Sequence, residues 1–156
     1  MVNIFAFGSD FDVKEAKEDA EFRHGDRKNV AAMWEFIETA NRARLGDVDE
    51  AKLLTLADKL FVEANGSLSA EVPPYLQVLG ERIPGCLAFW RTMASHPDAK
   101  IRLRLSTSTA TVKLPEPIRS EIFAMLQNDR SKKVRDGLAE IIAWWESPIH
   151  NPQNVV

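Results

Sequence analysis

The sequence predicts an all-α fold, a single helical domain over 1–156, and three observations carry that prediction. Apolar residues recur at three- and four-residue spacing through 29–45, 49–64 and 130–146, which lines up one face of a helix. The last third of the chain matches itself at a shift of 33 residues, the mark of stacked helix pairs. No apolar run reaches the roughly 18 residues that a membrane span needs.

The elements follow in order. VNIFAF at 2–7 has strand character but no partner to pair with, so 1–11 is expected to be an irregular arm on the first helix. DVKEAKEDAEFR, 12–23, is a charged, weakly amphipathic helix candidate. In 29–45 the stripe is Val30, Met33, Trp34, Ile37, Ala40 and Leu45, and Gly46 supplies a C-terminal stop. Asp47 or Asp49 can cap the next helix, 49–64, whose stripe is Leu53, Leu56, Ala57, Leu60, Phe61 and Ala64. Beyond Asn65-Gly66 the pattern loosens, and 66–74 is the best internal linker. Proline fits the first helical turn, so Pro73 and Pro74 open a short helix through Leu79, and Pro84 opens another over 84–95. A helix from Pro97-Asp98 to about Val112 comes next. Pro115-Glu116-Pro117 then opens one with Ile118, Ile122, Met125 and Leu126 on its stripe. The last helix, 130–146, sets Val134, Leu138, Ile141, Ile142 and Trp145 on one face. The tail, 147–156, is expected to be frayed or extended.

One segment resists this pattern. KIRLRLSTSTATVKL, 100–114, alternates Ile101, Leu103 and Leu105 with Arg102 and Arg104 and is rich in threonine, so local propensity favours a strand. The internal repeat overrides it and predicts helix. Trp90 falls on Phe123, Met93 on Leu126, Ile101 on Val134, Arg102 on Arg135, Leu105 on Leu138 and Ala110 on Ala143.

Asp98-x-x-Ile101-Arg102-x-x-Leu105 and Asp129-x-x-x-x-Val134-Arg135-x-x-Leu138 resemble HEAT-like repeats, in which an aspartate-bearing turn leads into a second helix starting Val-Arg. The resemblance spans about 84–146, two units, and implies a short right-handed stack of antiparallel helix pairs, a HEAT-like α-solenoid. It also implies that Arg102 and Arg135 bridge to acidic side chains in the inter-helix turns, a structural role. An arginine near a helix N-terminus is disfavoured by the dipole and needs such acceptors.

Composition bounds the function. The 156 residues are 45% hydrophobic and 28% charged, ordinary for one globular domain. The net charge of −3 divides unevenly: 1–78 holds fifteen acidic against nine basic residues, and 79–156 holds eight against eleven. Such asymmetry suits a charged partner. The opening MVNIFAFGSDFD has no basic flank and is unlike a secretory signal, and a single cysteine, Cys86, permits neither an intramolecular disulfide nor a Cys-based zinc site. A cytoplasmic setting is expected.

No nucleophile elbow, phosphate-cradling glycine loop or zinc-binding helix pair is present, so neither enzyme activity nor a metal or cofactor is expected. His24, His96 and His150 fall in a charged stretch, a turn and the tail, with no local partner to fix a metal. Asp10 and Asp12 have no further ligands to complete a cation site. Cys86 at a helix start is read as a buried small residue rather than an activated thiol.

The chain is therefore expected to bind another protein without catalysis. Its size and acidity are similar in general character to bacterial immunity proteins that neutralise a cognate toxin, which implies a partner such as a basic toxin domain. The candidate contact residues are Asp47, Asp49 and Glu50 at an exposed helix start, and Trp144, an aromatic on the outer flank of the last helix. The alternative is binding of a nucleic-acid backbone by Arg104, Lys132 and Lys133, against which Asp129, Asp136 and Glu140 stand close by. No contact with a membrane is expected.

Overall fold

The computed structural model describes residues 27–150. The expected arm, the charged helix at 12–23, Asp10, Asp12, His24 and the end of the tail lie outside the described residues. Among the described residues every regular element is a helix and none is a strand. The chain groups into two compact units whose boundary falls between Phe89 and Trp90.

The first unit begins with α1, Arg27–Arg44, and α2, Glu50–Glu63, which pack on each other. A Schellman motif ends α1: Asp47 N–H donates to the Arg42 carbonyl (3.0 Å) and Gly46 N–H to that of Ala43 (3.1 Å). Gly46 takes φ +99°, which a β-carbon disfavours. This turn corrects one stripe assignment. Leu45 belongs to the reversal rather than to the helix face and is 68% exposed. Phe36, outside the expected stripe, is fully buried instead and meets the Tyr75 ring edge-on at 5.7 Å. Asp49 caps α2 by accepting from Lys52 N–H at 3.1 Å, and Lys52 pairs back to Glu35 on α1 at 3.1 Å.

The linker expected at 66–74 is helical. Asn65 caps α3, Gly66–Ser69, by accepting from Leu68 N–H at 2.9 Å, and α4, Val72–Leu79, carries proline in its first turn. Leu68 and Val72 are fully buried, so hydrophobic burial overrides the local proline and serine signals. α5, Gly85–Ala94, brings Phe89 against Phe61 of α2 at 5.1 Å.

The second unit contains the segment on which propensity and repeat disagree. It is helical, but in two pieces: α6, Ala99–Ser106, and α7, Thr109–Val112. The hydroxyls account for both the helix and its break. Ser106 and Thr107 donate to the Leu103 carbonyl (3.0 and 2.9 Å), and Ser108 accepts from Ala110 N–H (3.3 Å) as the cap of α7. Thr111 is buried where its hydroxyl donates to the Leu105 carbonyl (2.8 Å) and accepts from the Trp90 indole N–H (3.1 Å). Two further helices complete the unit, α8, Ile118–Gln127, and α9, Lys132–Glu146. α9 packs on α6, α7 and α8, with Val134 and Leu138 fully buried. Gly137 sits close against the end of α6: a β-carbon there would stand 2.9 Å from Thr107 and 3.1 Å from Ser106.

Candidate functional site

The second unit is organised around one buried ion pair. Asp98 caps α6 through Lys100 N–H (2.8 Å), which places Arg102 in the first turn of that helix, pointing at the turn between α8 and α9. Its guanidinium grips Asp129 with two bonds (Nε to Oδ2 2.7 Å, Nη2 to Oδ1 3.1 Å), and both side chains are only 5% exposed. Its third nitrogen, Nη1, donates to the carbonyls of His96 (2.7 Å) and Pro97 (3.1 Å). Asp129 also accepts from Ser131 N–H at 2.8 Å. The hydrogen bonds from Arg102 hold the Asp129 carboxyl below its ordinary value, against the opposing effect of desolvation, and the same pairing raises Arg102. A fork–fork pair of this kind fixes geometry as well as charge.

Arg135, 33 residues after Arg102 in the sequence, is exposed. Its Nη1 donates to the Asp129 carbonyl, six residues back, just as Arg102 Nη1 donates to the His96 carbonyl six residues back. The two local contacts are related by the same 33-residue shift in sequence. The carboxylate that grips Arg102 has no counterpart at Arg135 among the described residues, so Arg135 meets a carbonyl where an acidic side chain was expected.

The outer half of α9 is half-covered. Ile141, Ile142, Trp144 and Trp145 are all of intermediate exposure, so the stripe expected to be buried is packed only through Val134 and Leu138. Trp144 stacks on His150 with ring centres 4.6 Å apart, bringing the start of the tail over this indole. Lys113 Nζ lies 5.6 Å from the centre of the Trp145 ring. Trp145 also lines a groove with Val112, Phe123 and Ile142, to which Arg119 and Glu146 contribute charge.

The acidic helix start divides by role. Asp47, Asp49 and Glu50 are all exposed, and Asp49 in addition caps α2. Glu50 lies against Gly85, its Oε1 occupying the place a β-carbon would take. Glu50 also adds to burial in pushing the Cys86 thiol up to about 11. That thiol is fully buried and stays protonated.

The basic candidates separate in the same way. Lys132 pairs with Asp136 along α9, and Arg104 is half-buried on α6. Lys133 converges with Lys100 on a shallow recess that Leu103 and Ser131 also line. Sequence reasoning gave no site role to Lys100 or Phe123, each of which lines a recess with residues distant in sequence. The repeat shift was the available signal for Phe123, since it falls on the fully buried Trp90.

Among the described residues no group of three histidine, cysteine or acidic side chains is placed to hold a metal, and no helix is long and apolar enough to cross a membrane. Comparison of the chain with known protein families, with curated proteins and with solved structures finds no match. What the described residues define is an all-helical chain with a buried arginine–aspartate pair and a half-covered aromatic flank.

Proposed function

We propose that the chain is a non-enzymatic module that binds another protein, with its second unit built from two HEAT-like repeats in a short right-handed stack. The one-to-one neutralisation of a toxin by a bacterial immunity protein is the kind of task we infer, with cytoplasmic action. The observation that carries the reading is the half-covered flank of α9. Ile141, Ile142, Trp144 and Trp145 leave an apolar and aromatic surface partly open to water, the composition on which protein interfaces concentrate their binding energy. The repeat reading is supported by the equivalent carbonyl contacts of Arg102 and Arg135.

The test is contact at that flank. A photoreactive phenylalanine derivative replacing Ile149, which is 85% exposed, is introduced into the full chain in its own host cells. One discrete protein adduct, lost on Trp144→Ala, is the expected result. Adducts only with nucleic acid, or none, would overturn the proposal. Of the acidic candidates, Asp47 gives the cleanest second probe. Asp47→Lys should slow association with a basic partner, whereas reversal at Asp49 or Glu50 also disturbs the helix cap or the Gly85 contact.

A second reading, binding of a nucleic-acid backbone, rests on the convergence of Lys100 and Lys133 on one recess. Filter binding at low salt discriminates. Binding to mixed DNA or RNA that disappears in a Lys132→Ala, Lys133→Ala chain would favour it, with a salt slope reduced by about one unit for each phosphate no longer neutralised.

A further inference from the structure

The molecule contains a template for its own docking face. In the first copy of the repeat, the outer side of α6 is covered by α9. Arg102 takes a carboxylate from the turn that precedes α9, and Ser106 faces Gly137 of α9 so closely that a β-carbon there would stand 3.1 Å from its hydroxyl. From Asp129 to Gly137 is eight residues, an acidic turn followed two helical turns later by a residue without a side chain.

In the second copy the shift of 33 residues places Arg135 on Arg102 and Ala139 on Ser106. Arg102 and Ser106 are buried, 4% and 0% exposed, whereas Arg135 and Ala139 are both exposed. Arg135 already makes the local half of the contact, to the carbonyl six residues back, so its side chain is held near the helix start as Arg102 is. The small residue that permits close approach is in place as well, alanine for serine.

We propose that the face of α9 bearing Arg135 and Ala139 docks a helical hairpin of another protein. The turn of that hairpin supplies an aspartate or glutamate to Arg135, and its second helix presents glycine or alanine opposite Ala139. Glu140 stands where Thr107 stands in the first copy, and favours a basic side chain on the partner beside that small residue. This rests on the protein-binding reading and adds to it a site and a partner chemistry.

The experiment uses the full chain in its own host cells with a photoreactive phenylalanine derivative replacing Ala143, which is exposed one turn beyond Ala139. The expected result is an adduct to one other protein, mapped by mass spectrometry to a helical segment with an acidic residue about eight positions before a glycine or alanine. Arg135→Glu and Ala139→Arg should each lower the yield by at least about tenfold, and Lys59→Ala, at an exposed position on α2, should leave it unchanged. Ala139→Arg adds a surface side chain and leaves the isolated fold intact, so circular dichroism of that variant separates a failure to dock from a failure to fold. Reversal of the partner's acidic residue to lysine should restore the adduct with Arg135→Glu. An adduct to a second copy of this chain, to nucleic acid, or to a segment without the acidic residue overturns the proposal. No adduct at Ala143 while Ile149 still gives one overturns this site alone. Silence at both positions overturns the protein-binding reading with it.

Discussion

Arg102→Ala should destabilise the second unit by about 3–5 kcal/mol, the cost of removing one member of a buried ion pair. The substitution takes away both bonds to Asp129 and those to the His96 and Pro97 carbonyls, leaving a carboxylate that is 5% exposed with the Ser131 N–H bond and the Arg130 charge as its remaining support. Urea unfolding followed by far-ultraviolet circular dichroism reads the loss as a lower midpoint at unchanged slope. A double replacement, Arg102→Met with Asp129→Leu, should cost less than the sum of the single ones, because it strands no charge. The pH dependence has a definite sign. Asp129 is depressed below the ordinary 3.8 in the folded state, so its contribution is complete above that value and is lost as the pH falls through the folded value. The gap between wild type and Arg102→Ala should therefore hold constant from neutrality to about pH 5 and narrow below about pH 4. A loss under about 1 kcal/mol, or strict additivity in the double replacement, would refute the assignment of this pair as the organising contact.

Other outcomes test the surrounding structure. Leu138→Ala, at a fully buried position, should cost about 2–5 kcal/mol in the same titration. Gly137→Val should weaken the α6–α9 contact by about 1–3 kcal/mol or more, since the added atoms meet Thr107 and Ser106. Asp49→Ala should cost about 1 kcal/mol through loss of the α2 cap, whereas Asp47→Ala should stay within about 0.5 kcal/mol. The Cys86 thiol, pushed up to about 11 by burial and Glu50, should resist a disulfide reagent at mildly alkaline pH until denaturant is added, and rapid labelling of the native chain would contradict its burial.

Much of the helical pattern was legible because its signals are local and repeated. Asp49 and Asp98 cap the helices that follow them, and Val134 and Leu138 recur at the spacing one buried face demands, whereas Asn65, read as the stop of 49–64, caps α3. The threonine-rich 100–114 segment shows where local propensity misleads. β-branched residues favour strands on average, yet here Ser106, Thr107, Ser108 and Thr111 each find a backbone or side-chain partner within a helical path. Phe36 and Leu45 exchanged their expected places because a helix face is set by what packs against it, and the Tyr75 ring that covers Phe36 is distant in sequence. The candidate site was less legible. Trp144 was identifiable from its rotation away from the Val134–Leu138 face, but its stacking on His150 depends on the path of the tail. Glu50 is exposed as expected, but its contact with Gly85 joins residues far apart in the chain.

Arg102 and Arg135 separate what the local sequence specifies from what its surroundings add. Arg102 and Arg135 share a sequence context and make the same short-range bond, Nη1 to the carbonyl six residues back, so that contact belongs to the motif. The long-range half belongs to the neighbour: Arg102 has a turn carrying Asp129 beside it and is buried, while Arg135 remains exposed. The same contrast runs along the helices. Trp90 is fully buried and Phe123 half-exposed, Ala110 is buried and Ala143 exposed, although each pair occupies equivalent positions. Burial at the first position of each pair shows what chemistry covers such a surface: a carboxylate at the helix start and a residue without bulk two turns on, with Val134 buried between them. On the docking proposal, the exposed positions Arg135 and Ala139 call for the same cover, and a partner offering those groups in the same order would gain the same fork–fork pair and the same close approach.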